Sequence, residues 1–346
     1  MAEVRTYWDD IKDVGFCELP WGELHNRNIL ITGATGLIGS CIVDVLMNTN
    51  IPCNIYAAGR SEERARKRFW SYNQDKRFHF IKYDVTKPLN SNIDFQFIID
   101  AASNASPNFF KSNPVEVIKS NINGVSNLIE YGKEHNLKRF LYISTGEIYG
   151  EGNVDMFSED YSGYVNCATV RACYPSSKRA AESLTVAYGF EYNVDVVIAR
   201  PSHVYGPYFT ESDNRVYAQF IRNILRNEDI VLKSYGKQFR SWCYVVDCVK
   251  ALFFILLKGK NGEPYNIADE SSNVTIRELA ELVASYSGCK VVLDIQGDDA
   301  NAIITKATFD TSKLKQLGWQ VEGSLKDKLF RTINERKTKN SNSSSR

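Results

Sequence analysis

Two shortages bound what this 346-residue chain can be. It has no charge of one sign to spare: 42 Lys and Arg against 41 Asp and Glu leave a formal net charge of +1. That excludes the basic excess on which proteins that track a nucleic-acid backbone depend. It also lacks any run of eighteen apolar residues, so no segment is predicted to span a bilayer. Metal chemistry is poorly provided for as well. The four histidines, His25, His79, His135 and His203, are far apart, and the eight cysteines contain no C-x-x-C pair. Scattered thiols of this kind fit reduced cysteines rather than a zinc site or a disulfide framework, and no metal is expected. The opening MAEVRTYWDDIKDVGF alternates acids with apolar residues and has no basic segment leading into an apolar one. A secretory leader is therefore not expected, and the cytoplasm is the expected compartment.

What is present is the composition of a globular protein, 43% apolar and 24% charged. From Asn28 the apolar residues fall into short blocks, NILITG, NIYAAG, FHFIKYD, FQFIIDAA, RFLYIST and VDVVIARP, with helix-like segments between most of them. Strand alternating with helix predicts an α/β fold with a doubly wound parallel sheet. Helices on both faces of such a sheet explain why its strands read as continuous apolar runs. Residues 41–49 read as the first crossover helix. Later helical periodicity in NRVYAQFIRNILRN and VTIRELAELVASYSG, interspersed with DIVLKSYG and KVVLDI, predicts a smaller C-terminal α+β domain. The expected organisation is an N-terminal extension at 1–27, a nucleotide-binding domain at 28–200 that is rejoined near 240–258, and a second domain over 201–335. The polar tail 336–346 is expected to be disordered.

The segment ITGATGLIGS puts Gly33, Gly36 and Gly39 directly after a strand and at the opening of a helix. A dinucleotide phosphate needs this arrangement. One glycine makes the tight turn, one admits backbone close to the pyrophosphate, and one lets the helix pack on the strand, while helix N–H groups meet the anion. Thr35, Leu37 and Ile38 belong to the same turn. The second strand lacks the acid that grips the ribose of NAD and ends instead at Ala57-Ala58-Gly59-Arg60, with Arg64 and Arg66 following. Either these arginines form a solvated helix face, or Arg60 accommodates a 2′-phosphate; the cofactor is NAD or NADP, with Arg60 favouring NADP. Asp84, after the third strand, and its neighbour Val85 are candidates for adenosine contact.

Tyr174 and Lys178, in CYPSSKRAAE, stand four apart on an expected helix and so face the same way. A phenol with a pKa of about 10 is a poor base at neutral pH, but a neighbouring ammonium and a positive nicotinamide favour the phenolate. Together with the hydroxyls of STGEIYG at 144–150, these residues closely resemble the extended short-chain dehydrogenases that act as nucleotide-sugar epimerases, dehydratases and decarboxylases. The resemblance runs from about Asn28 to Trp319. It implies a Rossmann-type fold and a nucleotide-sugar substrate, with Thr145 bonding the reacting sugar oxygen beside Tyr174. It further implies cofactor contacts at Ala101, Ala102, Ser103 and Asn121, in AASNASP and the helix carrying N-x-x-G-x-x-N. Ser106, Arg215 and Arg240 are implied substrate contacts, with Arg240 on the diphosphate, a role suited to its fork of donors. A homodimer through the helices carrying Asn121 and Tyr174 is implied too.

Glu147 either pairs with a nearby lysine or arginine or separates the possible chemistries. Simple 4-epimerases need no carboxylate beyond the hydroxyl–tyrosine pair, whereas a 4-ketone makes the proton at carbon 5 acidic or lets a sugar carboxylate leave as carbon dioxide. Sugar 4,6-dehydratases carry Thr-Asp-Glu and UDP-glucuronate decarboxylases Thr-Ser-Glu; this chain reads Thr145-Gly146-Glu147, and the glycine is expected to leave extra room. His203 replaces an asparagine usual at that place, either as a substrate contact or as a packing residue. The segments VRACYPSSKRAAE, SNASPNFF and NRVYAQF have close counterparts in the decarboxylases, making decarboxylation of UDP-glucuronate the first expectation. An epimerase or dehydratase, a one-way NADPH-dependent reductase of a 4-keto sugar nucleotide, and a non-catalytic dinucleotide-binding protein on the same fold are the alternatives.

Overall fold

The computed structural model describes residues 5–152, 154–295 and 306–344. In chain order the strands are β1 (Asn28–Thr32), β2 (Asn54–Gly59), β3 (Phe78–Lys82), β4 (Phe97–Asp100), β5 (Arg139–Ile143), β6 (Val196–Pro201), β7 (His203–Tyr205), β8 (Ile230–Leu232), β9 (Phe239–Tyr244), β10 (Pro264–Ile267), β11 (Asp269–Thr275), β12 (Val291–Leu293) and β13 (Lys306–Ala307). The helices are α1 (Tyr7–Val14), α2 (Leu37–Asn48), α3 (Glu62–Arg68), α4 (Pro107–Ser112), α5 (Pro114–Glu134), α6 (Cys173–Tyr192), α7 (Val216–Leu225), α8 (Val245–Lys258), α9 (Ile276–Ala284), α10 (Ser312–Gln316) and α11 (Leu325–Ser344).

The six apolar blocks become β1 to β6, and with β10 they form a parallel sheet in the order β3-β2-β1-β4-β5-β6-β10. Strand order reverses between β1 and β4, and the crevice outside the carboxyl ends of these strands is where a doubly wound sheet takes a ligand. Central strands such as β4 and β6 are buried along their whole length, as coverage by helices on both faces requires. The first crossover helix starts at Leu37, earlier than its apolar run suggests, because Gly36 is its N-cap. After β9, α8 returns to pack on α2, β5 and β6.

A second layer stands over the carboxyl edge. Its central strand β9 pairs with β7 and β13 in parallel and with β11 antiparallel, and β8 pairs with β12 beside it. In this register His203 lies opposite Trp242. Thr275 and Glu278 form a capping box that starts α9 where β11 ends.

Both chain ends depart from a plain reading of the sequence. In the N-terminal extension, α1 opens with a Thr6–Asp9 capping box and buries Tyr7, Ile11 and Val14 in the main core. Tyr7 donates to buried Asp44 of α2 at 2.6 Å, and Asp44 also accepts from Tyr72 at 3.0 Å and pairs with Arg68. At the other end the last helix enters the stretch 336–346 for which disorder is expected. α11 continues to Ser344, held by Leu329, Ile333 and the buried Arg336, whose guanidinium lies 4.4 Å from the centre of the Phe209 ring and pairs with Glu211. Where the helix turns polar, Arg336 seats its cation on an aromatic face. Residues 345–346 lie outside the described residues.

Candidate functional site

The glycine turn is set by steric demand. Gly33 has φ +58°, and a Cβ there would stand 2.4 Å from the carbonyl oxygen of Ala101, so only glycine lets the ends of β1 and β4 approach so closely. A Cβ on Gly39 would meet the Gly33 carbonyl oxygen at 2.4 Å. No side chain caps the first turn of α2, which leaves the N–H groups of that turn, at Leu37, Ile38 and Gly39, to a ligand. The expected cradle residues gather around this turn. Buried Asp100 accepts from Thr32 at 2.6 Å and from the Ala102 amide at 3.2 Å, and Thr35 comes near the end of β2 at Gly59. Ser103 donates to Asn121 at 2.8 Å, and Asn121 donates to Ser177 at 2.8 Å, joining β4, α5 and α6. Val85 packs against Gly124 and accepts from Asn127 through its carbonyl. Asp84 accepts from the Thr86 amide and hydroxyl, and Arg60 pairs with Glu116 at 2.6 Å. The Ser144 hydroxyl, at the end of β5, is buried and has no hydrogen-bond partner among the described residues. An uncapped helix start, a backbone approach that only glycine permits and an orphaned buried hydroxyl fit a dinucleotide.

The strand ends in STGEIYG for a structural reason. Thr145 is the N-cap of the short turn Gly146–Tyr149, its Oγ accepting from the Glu147 amide at 3.2 Å. Arg179 of α6 straps the same turn, donating to the Ile148 carbonyl at 2.6 Å and to the Gly163 carbonyl at 2.7 Å. The helix that carries Tyr174 and Lys178 therefore also holds the turn that carries Thr145 and Glu147. Glu147 is exposed, and it pairs with Arg171 at 2.6 Å. Arg171 in turn lies 5.0 Å from the centre of the Phe110 ring, and Phe110 stacks on Tyr174 at 4.6 Å and 19°.

Electrostatics at Tyr174 run against the phenolate in the protein alone. Burial and then the Glu147 charge raise its pKa well above the ordinary phenol value, and the Thr145 hydroxyl, Arg215 and Arg171 oppose them. Lys178 is buried, donates to the Ile143 carbonyl at 2.7 Å, and stands 6.0 Å from the centre of the Tyr174 ring. Burial pushes its pKa down to about 8 against the attraction of Asp100 and Glu182. The lysine is poised near neutrality, so it keeps a charge that a small rise in pH removes.

Over the cleft, the second layer supplies cations and rings. Arg215 grips Asp213 at 2.6 Å and donates to the Val204 carbonyl at 3.3 Å, and Ser106 bonds the neighbouring Asn214 at 3.1 Å. Arg240 of β9 donates to the Phe239 carbonyl at 3.2 Å; enclosure lowers its pKa, while the Glu147 charge acts the other way. His203 is exposed, its ring centre 5.3 Å from that of Trp242. Partial desolvation and the neighbouring Arg240 and Arg215 charges lower its pKa, which favours the neutral imidazole at physiological pH.

One expectation is overturned at the turn itself. Gly146 does not leave extra room, because a Cβ there would stand 2.4 Å from the Phe309 ring, which is buried with Ile148, Tyr149 and Phe157. The space of the missing side chain is filled by an aromatic ring from the far end of the sequence. Phe309 and Glu116 escape a motif search, whereas Arg171 and Phe110 lie within VRACYPSSKRAAE and SNASPNFF, two of the segments that carry the resemblance.

A glycine turn at the switch point of a doubly wound sheet, with a threonine, tyrosine and lysine gathered on the strand and helix beside it, defines a dinucleotide-binding fold of the extended short-chain dehydrogenase class. The chain belongs to the NAD dependent epimerase/dehydratase family, whose model matches residues 29–268. It is similar to UDP-glucuronic acid decarboxylase 6 of Arabidopsis thaliana, 37% identical over 312 residues that cover 88% of this chain and 87% of that protein. It is also similar to UDP-glucuronic acid decarboxylase 1 of Xenopus tropicalis, 31% identical, covering 90% of this chain and 72% of that one. Among solved structures, a dTDP-glucose 4,6-dehydratase of Streptomyces venezuelae with NAD bound superposes with a TM-score of 0.79 at 22% identity, covering 91% of this chain and 98% of that one. A UDP-glucose 4-epimerase of Thermotoga maritima with UDP-glucose gives 0.77 at 22%, covering 90% and 99%. These two share the fold.

Restoring an acid at position 146 should therefore be costly. Gly146→Asp is expected to destabilise the protein by about 1–3 kcal/mol through overpacking against Phe309, read by denaturant unfolding. Adding Phe309→Ala should relieve the collision, leaving the double variant more stable than the sum of the two single losses.

Proposed function

We propose that the chain is a nucleotide-sugar decarboxylase acting on UDP-glucuronate through a transient ketone at carbon 4. The observation that carries this reading is the turn Thr145-Gly146-Glu147, in which a carboxylate stands beside the Tyr174 site while a buried ring fills the neighbouring position. Elimination of a 6-hydroxyl would want an acid at that neighbouring position, and decarboxylation does not. The likeness to the plant and animal decarboxylases over most of the chain supports the same outcome.

Gly33, Gly36 and the first turn of α2 would hold the pyrophosphate, Lys178 and Ser144 the nicotinamide end, and Asp84 and Arg60 the adenosine end. When bound, the dinucleotide supplies the hydride acceptor that makes and unmakes the ketone. Tyr174 takes the proton of the 4-hydroxyl and returns it, with Thr145 bonding the same oxygen. The ketone is β to the sugar carboxylate, so the bond between carbons 5 and 6 breaks with its electrons flowing toward the ketone oxygen, and carbon dioxide leaves. Glu147, freed from Arg171, manages the proton that carbon 5 regains. Arg240 and Arg215 hold the diphosphate, with Ser106 beside them, and neutral His203 offers a hydrogen bond without adding charge.

Incubation of the purified protein with UDP-glucuronate is expected to yield a product lighter by one carbon dioxide, read by mass spectrometry. Glu147→Gln should cut the rate about a hundredfold while nucleotide binding is retained. Loss of water, or an unchanged mass with a new sugar, would sink the decarboxylase reading in favour of a dehydratase or an epimerase.

The pH profile follows from Lys178. Its folded pKa is depressed to about 8, so the ammonium is present below that pH and lost above it. kcat/KM should decline as pH rises through about 8, and Lys178→Met should lower the rate and abolish that limb.

We read the outer faces of α5 and α6 as the contact of a homodimer, since Val115, Ile118, Val186 and Phe190 remain exposed on them, Phe190 at 93%. Light scattering should report a dimer that Phe190→Glu converts to monomer; an unchanged mass in the variant would count against this face.

A further inference from the structure

Arg60 directly follows β2, where a doubly wound sheet presents the protein to the adenosine ribose of a dinucleotide. In sequence it invites a 2′-phosphate. In the folded chain its Nη1 donates to Glu116 Oε1 at 2.6 Å, and Glu116 stands in the first turn of α5. At the end of β3, Asp84 has its pKa lowered although burial opposes this, because the Thr86 donors and the Arg60 charge act on it. Arg60 is thus paired with one carboxylate, and its charge also reaches a second, Asp84. Arg66, on the same side, is occupied by Glu62 at 2.6 Å, one turn away.

The balance of charge matters more than the presence of the arginine. Both partners of the Arg60–Glu116 pair are well exposed, at 61% and 38%, and a pair of that kind is weak enough for a ligand to displace. A phosphate that took Arg60 would leave the Glu116 carboxylate uncompensated at its side, with Asp84 beyond it. A plain 2′-hydroxyl meets no such opposition, and a nearby carboxylate can accept its hydrogen bond.

We propose that Glu116 is a cofactor-selecting residue, which by holding Arg60 and adding its own charge turns the ribose pocket against a 2′-phosphate and toward NAD. This rests on the glycine turn being a dinucleotide site and is independent of which sugar is processed. The test is fluorescence titration of the full-length protein, cleared of retained nucleotide, with NADH and NADPH. Glu116→Gln should tighten NADPH about two- to fivefold, with NADH changed less than about twofold. Arg60→Ala should weaken NADPH, and in Arg60→Ala/Glu116→Gln the gain should shrink. Both positions are exposed, so the variants keep the fold, which circular dichroism checks. An unchanged ratio of NADH to NADPH affinity in Glu116→Gln overturns the proposal. Failure of every variant and of the parent to bind either nucleotide overturns the dinucleotide reading along with it.

Discussion

The contact on which the rest of the molecule depends is the approach of two backbones at the sheet's switch point, Gly33 against Ala101. No side chain fits between them. Because β1 and β4 close to that distance, α2 begins directly over the crevice with its first turn uncapped, and Asp100, one residue before Ala101, turns back to bind Thr32 and the Ala102 amide. The Ser103–Asn121–Ser177 chain then fixes α5 and α6 on the same frame. A substitution at Gly33 would therefore not merely spoil a phosphate contact; it would separate the strands that place every other group.

The reacting groups sit on two pieces of chain that are tied to each other as well as to the sheet, where Lys178 reaches Ile143. Thr145 caps the turn of Glu147, and Arg179 from the helix of Tyr174 and Lys178 holds that turn by its carbonyls. Relative position of hydroxyl, carboxylate, phenol and ammonium is thereby set by hydrogen bonds shorter than the elements they join. The electrical setting is less finished than the geometry. Burial holds the phenol proton tightly, and the Glu147 charge strengthens that hold. Pairing Glu147 with Arg171 weakens it, so the state of one exposed ion pair bears on the acidity of a buried phenol nearby.

Features that rest on short spacing were legible in the sequence. The glycine turn, the Tyr174–Lys178 pair and the six strands of β1 to β6 each lie within one local pattern, where the period of the backbone decides which side chains meet. What the sequence hid depends on contacts between distant segments. Nothing near Gly146 announces that Phe309 occupies its missing side chain, and nothing near Arg60 announces Glu116. The same holds for the chain ends. Nothing near Arg336 in the sequence announces the Phe209 ring on which its guanidinium lies. Nothing near Tyr7 in the sequence announces Asp44 of α2, which accepts its hydroxyl.

Asp10 of α1 is almost completely buried and receives the guanidinia of Arg5 and Arg331, the latter from α11. The first and last helices of the chain thus share one carboxylate. Arg5 reaches Asp10 from within the N-terminal segment, whereas the Arg331 contact requires α11. The N-terminal helix and α11 are thereby joined across nearly the whole length of the sequence, so loss of Asp10 would loosen both at once.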